Sequence, residues 1–234
     1  MATVLLVRHG RTTANAEGVL AGRTPGIGLD SVGREQAGRT AARLAGVPLV
    51  GIVTSPLQRC RETAQALLDA RDDAPALSVE DGIVECDYGQ WQGRRLSELA
   101  GEDLWSVVQR QPSAATFPGG ESLRAMSHRA VAAVRQNDTV FEAEHGASAV
   151  WVAVSHGDLI KAVLADALGT HLDAFQRIAV GPASVSIVQY GNARPTVAAL
   201  NTDDGDLSWL AAAQAPPTDA AVGGGAGRQP DPGA

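Results

Sequence analysis

Two histidines stand in the same setting at distant points of the chain. His9 ends the apolar run Thr3-Val4-Leu5-Leu6-Val7 in Arg8-His9-Gly10, and His156 ends Val150-Trp151-Val152-Ala153-Val154 in Ser155-His156-Gly157. An open parallel sheet takes its ligand outside the carboxyl ends of its strands, so two such strand ends predict two imidazoles at one site. A neutral imidazole is a nucleophile and a hydrogen-bond partner at ordinary pH. Arg8 is a guanidinium at the end of a buried strand, and a ligand anion is a natural counter-charge for it. A third apolar run, Leu49–Thr54, leads into Ser55-Pro56-Leu57-Gln58-Arg59. The Ser-Pro pair predicts a helix start with Pro56 in its first turn, which puts Arg59 beside a helix N-terminus, a ready anion site. Asn15, in the loop after His9, is a further donor, and Gly157 is placed with Arg8, Asn15, Arg59 and His156 in the ligand-binding set.

A proton carrier is sought among the carboxylates. Glu85 lies in Ile83-Val84-Glu85-Cys86-Asp87-Tyr88-Gly89-Gln90-Trp91-Gln92-Gly93, after two apolar residues and before a glycine- and aromatic-rich loop. Such a setting desolvates a carboxyl and raises its pKa, as acid–base work requires. Asp87 is the competing candidate on the same loop, and Trp91 is a candidate to line the cavity.

Strands expected at Thr3–Val7, Leu49–Thr54, Leu77–Val79, Val150–Val154, Ser184–Tyr190 and Thr196–Leu200 must position these groups. Helical patterns fall between them at Ser31–Ala45, Leu57–Ala70, Leu96–Gln109, Ser122–Glu144 and Asp158–Leu168. The alternation predicts an α/β fold, a three-layer α/β/α sandwich with a mostly parallel sheet. The last two strands, joined by Gly191-Asn192-Ala193-Arg194, read as a hairpin and give one antiparallel edge strand. Ser122 is expected to cap the long fourth helix. Residues 1–210 are expected to form one catalytic domain and residues 211–234, rich in glycine and proline, a disordered tail.

The chain has 234 residues, 44% of them apolar, which suits a packed core. A net charge of −7 offers no general attraction to nucleic acid or an anionic membrane, so neither is an expected partner. Local cations must therefore hold any anionic ligand, and all but Lys161 are arginines. Cys60 and Cys86 stand apart with no CxxC pattern, which predicts free thiols in a reducing compartment. With no signal-peptide pattern at the N-terminus, the expectation is a cytoplasmic protein.

Taken in order, Arg-His-Gly, Ser-Pro-x-x-Arg-x-x-Glu-Thr-Ala, Glu-x-x-x-Gly-x-Trp-x-Gly, Pro-Gly-Gly-Glu-Ser and the late Ser-His-Gly resemble the histidine phosphatase superfamily. The likeness covers residues 2–200 and is to the phosphoglycerate-mutase-like branch, in its phosphatase-type members. It implies that His9 becomes phosphorylated, that Arg8, Arg59 and His156 surround the phosphoryl oxygens with Asn15 as an added donor, and that Glu85 is the proton donor. It implies a histidine acid phosphatase-type phosphoric monoester hydrolase acting on a small-molecule phosphate ester, with no cofactor and no metal. The alternatives are a phosphoglycerate-type phosphomutase and a phosphate-binding module without catalysis. A mutase needs extra cations and a longer lid than Leu96–Phe117; Arg94 and Arg95 are candidates for a substrate carboxylate. Arg11, Arg23, Arg94 and Arg95 are the expected levers on substrate preference. The oligomeric state is open, a homodimer being one option.

Other patterns are set aside. Gly26-Ile27-Gly28 has no third glycine in register and no preceding strand. Ser155 lacks the flanking glycines of a nucleophile elbow. The spacing of His9, His156 and Asp158 does not suit zinc.

Overall fold

The structure, a computed structural model, describes residues 2–191, 194–205, 207 and 210. In chain order it runs β1 (Thr3–Arg8), α1 (Thr13–Ala16), α2 (Ser31–Leu44), β2 (Leu49–Thr54), α3 (Gln58–Asp69), β3 (Ala76–Val79), α4 (Leu96–Leu99), α5 (Asp103–Arg110), α6 (Leu123–His145), β4 (Val150–Ser155), α7 (Gly157–Ala167), β5 (Val185–Tyr190) and β6 (Pro195–Thr202). The strands form one sheet in the order β3-β2-β4-β1-β5-β6.

Successive side chains of a strand point to opposite faces, and here both faces are covered. Val4 and Leu6 of β1, with Trp151 and Ala153 of β4, pack with Met126, Ala130 and Val134 of α6 and with Leu159, Ile160 and Val163 of α7. Leu5 and Val7, with Ile52, Val152 and Val154, pack on the other side with Ala41 and Leu44 of α2 and Cys60, Ala64 and Leu67 of α3. Continuous apolar strands between two helical layers give the three-layer α/β/α sandwich expected. Trp151 is fully buried, and its indole Nε1 donates to Asp138 Oδ1 at 2.9 Å, so its polar edge is satisfied inside the core.

β3, β2, β4 and β1 are parallel. β5 pairs antiparallel with both β1 and β6, so it runs against the other strands from one place inside the edge. The hairpin is therefore present as expected, while the outermost position belongs to β6. Asn192 and Ala193 of its turn, and the tail expected from residue 211, lie outside the described residues.

Every expected helix differs from the observed one by a residue or more at an end, and two of the differences have a structural cause. α3 starts at Gln58, because Leu57 keeps an extended backbone at its N-cap, and Pro56 therefore precedes the helix instead of occupying its first turn. The single helix expected over 96–109 is two, α4 and α5, parted at a turn containing Gly101, a poor helix former. Ser122 caps α6 as expected, accepting from Ala125 N at 3.1 Å. Among the described residues, no helix is long and apolar enough to cross a membrane.

Candidate active site

Sheet order brings the distant motifs together. β2, β4 and β1 are neighbours, and the register pairs Arg8 with Ser155, so the residues after β1 and β4 emerge side by side. His9 N extends the ladder by donating to Ser155 O at 3.0 Å. The two imidazole rings meet edge to face with centroids 5.3 Å apart. Arg59, in the first turn of α3 after β2, reaches the same point. Its Nε donates to His9 Nε2 at 3.3 Å, and its Nη2 donates to Gly22 O at 2.7 Å and lies 3.2 Å from His156 Nδ1. Arg8, His9, Arg59, Glu85, Asn15 and Gly157 all line one cavity of about 310 Å³. His156 lies directly beneath it, with no exposure to solvent.

The backbone sets the tautomer of His9. Its Nδ1–H donates to Gly10 O at 2.8 Å, leaving the Nε2 lone pair toward the cavity. The Gly10 peptide is itself held, its N–H donating to Thr63 Oγ1 at 3.1 Å. On its other side the start of α2 approaches backbone to backbone. A Cβ on Gly10 would lie 2.3 Å from Gly33 O, and one on Gly33 would lie 1.9 Å from Arg11 O. Only glycine permits that approach. Burial pushes His9 well below the usual imidazole pKa, and Arg59 and Arg8 press it further the same way. His156 is lowered well below it too, by burial and then Arg59. Both rings are neutral at neutral pH. His156 Nε2 lies 2.8 Å from the Ser55 hydroxyl, whose freely turning proton can serve either tautomer.

The two arginines are unfinished. Arg8 Nη1 donates to Val180 O at 2.7 Å, but its buried Nε has no partner among the described residues, and neither has the buried Arg59 Nη1. Leaving a charged donor buried and unpaired is costly, so this pair of N–H groups calls for an anion. Gly157 adds the open N-terminus of α7 beside Arg8: a Cβ there would lie 3.4 Å from Arg8 Nε. Asn15 sits in α1, where its Oδ1 accepts from Thr12 N at 3.1 Å and its side chain faces the cavity.

Of the two carboxylate candidates, Glu85 is the one at the cavity. Its side chain is 11% exposed, and Oε2 lies 3.8 Å from His156 Nδ1. Asp87 is 41% exposed, outside the cavity lining, and accepts from Gly89 N at 3.0 Å. Burial, reinforced by the nearby Asp158 charge, raises the Glu85 pKa from 4.5 to about 7. Oε1 accepts from Cys86 N at 2.9 Å, so Oε2 is the oxygen left to exchange protons.

Three residues hold this loop: Arg129, which the sequence did not single out, Arg23, which was expected to act on the substrate instead, and Glu121, which was noted only as part of a motif. Arg129 of α6 donates to Gly82 O, Val84 O and Glu85 O at 2.9, 2.7 and 3.0 Å. Arg23 donates to the same Glu85 O at 2.8 Å. Glu121 joins the two guanidinium groups, 2.8 Å from Arg23 Nη2 and 2.7 Å from Arg129 Nη2. The arginines expected to tune preference are elsewhere. Arg11 is bonded to Asp30 at 2.8 Å, Arg94 to Glu102 at 2.7 Å and Arg95 to Glu17 O at 3.2 Å, and none of these, nor Arg23, lines the cavity. Cys60 is a buried neighbour of His156, its Sγ 3.4 Å from Nε2, and burial pushes its thiol up to about 12, which keeps it inert.

The set can seat a tetrahedral dianion between two guanidinium groups, offer it an unprotonated ring nitrogen, and supply a proton from a carboxyl titrating near neutrality. Comparison with known proteins identifies the family. The sequence profile described as histidine phosphatase superfamily (branch 1) matches residues 4–203. The chain is similar to the bifunctional protein Rv2228c of Mycobacterium tuberculosis, 34% identical over 192 residues, 80% of this chain and 50% of that protein. It thus spans about half the length of the first curated relatives it matches. It is 30% identical to phosphoserine phosphatase 1 of Hydrogenobacter thermophilus over 209 residues, 86% of this chain and 92% of that one. Among solved structures, Bacillus stearothermophilus YhfR superposes with a TM-score of 0.77 at 26% identity, covering 90% of this chain and 100% of the other.

Proposed function

The chain belongs to branch 1 of the histidine phosphatase superfamily, and from that premise we propose that it is a phosphomonoesterase that works through a phosphohistidine on His9. The observation that carries this reading is the pair of buried donors without a partner among the described residues, Arg8 Nε and Arg59 Nη1, flanking a histidine whose tautomer the Gly10 carbonyl sets.

In the first half-reaction His9 Nε2 attacks phosphorus, the bond from phosphorus to the ester oxygen breaks, and Glu85 gives its proton to the departing alkoxide. Arg59 Nε, which faces Nε2 in the free protein, turns its N–H to a phosphoryl oxygen. Arg8, Arg59 and the start of α7 neutralise charge on the transferring group. His156, a neutral ring, adds a hydrogen bond and no charge: when Ser55 donates to its Nε2, its Nδ1–H is left as a donor for a phosphoryl oxygen. In the second half, the Glu85 carboxylate takes a proton from water, the water oxygen attacks phosphorus, and the P–N bond breaks. Inorganic phosphate leaves, and Glu85 is again protonated.

A mutase would hold a second anionic group while the phosphoryl unit returns to an alcohol. The arginines proposed for that task, Arg94 and Arg95, are committed elsewhere. This favours transfer to water.

The test is phosphate release from a panel of esters in EDTA, beside trapping of acid-labile phosphate on the protein. The expected result is metal-independent release and a phosphoenzyme, both absent in His9→Ala. Turnover surviving in His9→Ala would overturn the mechanism.

A further inference from the structure

The floor of the cavity accounts for the phosphoryl group; the wall above it faces the alcohol. That wall is aromatic. Trp91 stacks on Trp105 with centroids 6.2 Å apart, and Phe117 meets Trp91 edge to face at 5.3 Å. Leu96, 40% exposed, stands at the cavity with Trp105.

Charge on this wall is cancelled. Among the described residues, Lys161 is the one cation lining the cavity besides Arg8 and Arg59, and it is the chain's only lysine. Its Nζ lies 3.2 Å from Asp158 Oδ1 and 3.1 Å from Gln176 Oε1. Tyr88 OH donates to Asp158 Oδ2 at 2.9 Å, so the carboxylate is engaged at both oxygens. A second anionic group on the substrate would meet apolar side chains and an ion pair already closed, and among the described residues no uncommitted cation lines this wall to receive it. Leaving such a group desolvated and unpaired is costly. A cationic group fares no better, because Asp158 is already paired.

Resting on the phosphatase reading, we propose that the substrate is a phosphate monoester of an uncharged alcohol bearing a flat apolar group, which lies against the partly exposed Trp105 and Leu96, with the buried Trp91 stacked behind them. Esters with a second carboxylate are disfavoured. The locked trio of Asp158, Lys161 and Gln176 offers hydrogen bonds to hydroxyl or amide groups on the far side of such an alcohol.

The experiment compares kcat/KM for four alkyl esters: 2-phenylethyl phosphate, n-propyl phosphate, phosphoserine and 3-phosphoglycerate. Each has an aliphatic oxygen as leaving group, so differences report binding more than proton transfer. The phenylethyl ester is expected to exceed both carboxylate-bearing esters by about tenfold or more. Trp105→Ala should lower the phenylethyl-to-propyl ratio about tenfold, with Trp105→Phe restoring most of it, since the ring supplies the contact. Leu96→Arg, at an exposed position, should raise the 3-phosphoglycerate-to-propyl ratio about tenfold by adding an uncommitted cation. Preference for phosphoserine or 3-phosphoglycerate would overturn the proposal, as would a Trp105→Ala ratio unchanged from the parent. Loss of all four activities together with no phosphoenzyme would instead overturn the phosphatase reading beneath it.

Discussion

The cavity has a floor and a wall built by different means. The floor consists of residues next to strand ends, Arg8, His9 and His156, and of Arg59 in a first helical turn, and backbone register fixes their spacing. The wall gathers side chains from Leu20, the turn at Trp91, α4, α5, Phe117 and α7, held by packing and by the Lys161–Asp158 pair. A floor tied to the sheet suits a chemistry common to every substrate. A wall of separate side chains can be replaced piece by piece, which suits selection among alcohols. The difference predicts that floor substitutions slow all esters alike, whereas wall substitutions change ratios between esters.

The largest effect should follow loss of a floor cation. Arg59→Met keeps the length of the side chain but removes charge stabilisation, and kcat/KM should fall about 1,000-fold on every ester in a panel. A loss confined to one ester class would break the comparison. Glu85→Gln stands next, between floor and wall. It should cost about 100-fold or more on alkyl esters, and only a few-fold on 4-nitrophenyl phosphate, whose leaving group needs no proton. Equal losses on both would remove Glu85 from the acid role. In the parent protein, kcat/KM for alkyl esters should decline as pH rises through about 7, the value to which burial and Asp158 raise Glu85.

Arg129 sharpens the contrast, because it does not line the cavity. It acts as a positioning residue through the backbone of the Glu85 loop. Arg129→Met should reduce kcat on alkyl esters about tenfold while sparing 4-nitrophenyl phosphate, and should move the alkaline limb of the pH profile. A uniform loss on both esters would mean that Arg129 merely supports the fold.

The smallest effect is on stability. The folded-state pKa of Glu85, about 7, lies above its ordinary 4.5, so the folded protein binds more protons than the unfolded chain between those values. Stability therefore falls as pH rises from about 4.5 to 7 and is level beyond. Glu85→Gln escapes that loss, and relative to the parent it should gain on the order of 2–3 kcal/mol between pH 4.5 and pH 8. Chemical denaturation of both proteins at the two pH values measures it; an advantage of Glu85→Gln over the parent that is larger at pH 4.5 than at pH 8 would reverse the sign and refute the burial argument.

The floor was legible in the sequence for the same reason that it is rigid. A histidine or arginine contiguous with an apolar run declares both its strand and its end of the strand, and parallel neighbours at one edge follow from α/β alternation. Glu85 was legible through its apolar flank, though only the fold separates it from Asp87. The rest escaped because it depends on partners. Arginine in a sequence does not reveal whether a carboxylate already holds it, so Arg11, Arg23, Arg94 and Arg95 were expected at the substrate while each is committed elsewhere. Arg129 bears no local mark of its reach to Glu85. Trp105 and Lys161 gain meaning only when separate helices converge, although the rarity of lysine was a usable signal. The break at Gly101 was similarly hidden, since apolar periodicity continues across it.

The contact between Gly33 and the chain after His9 has a consequence for how the catalyst can be switched off. Position 33 lies on a helix outside the cavity, yet its lack of a side chain lets that helix lie against the Arg11 backbone, next to the Gly10 carbonyl that accepts from His9 Nδ1. A methyl group there would wedge the helix away, release the proton from the hidden nitrogen and let it occupy the attacking one. Inactivation would then arrive as a change of tautomer, with the pocket itself still intact.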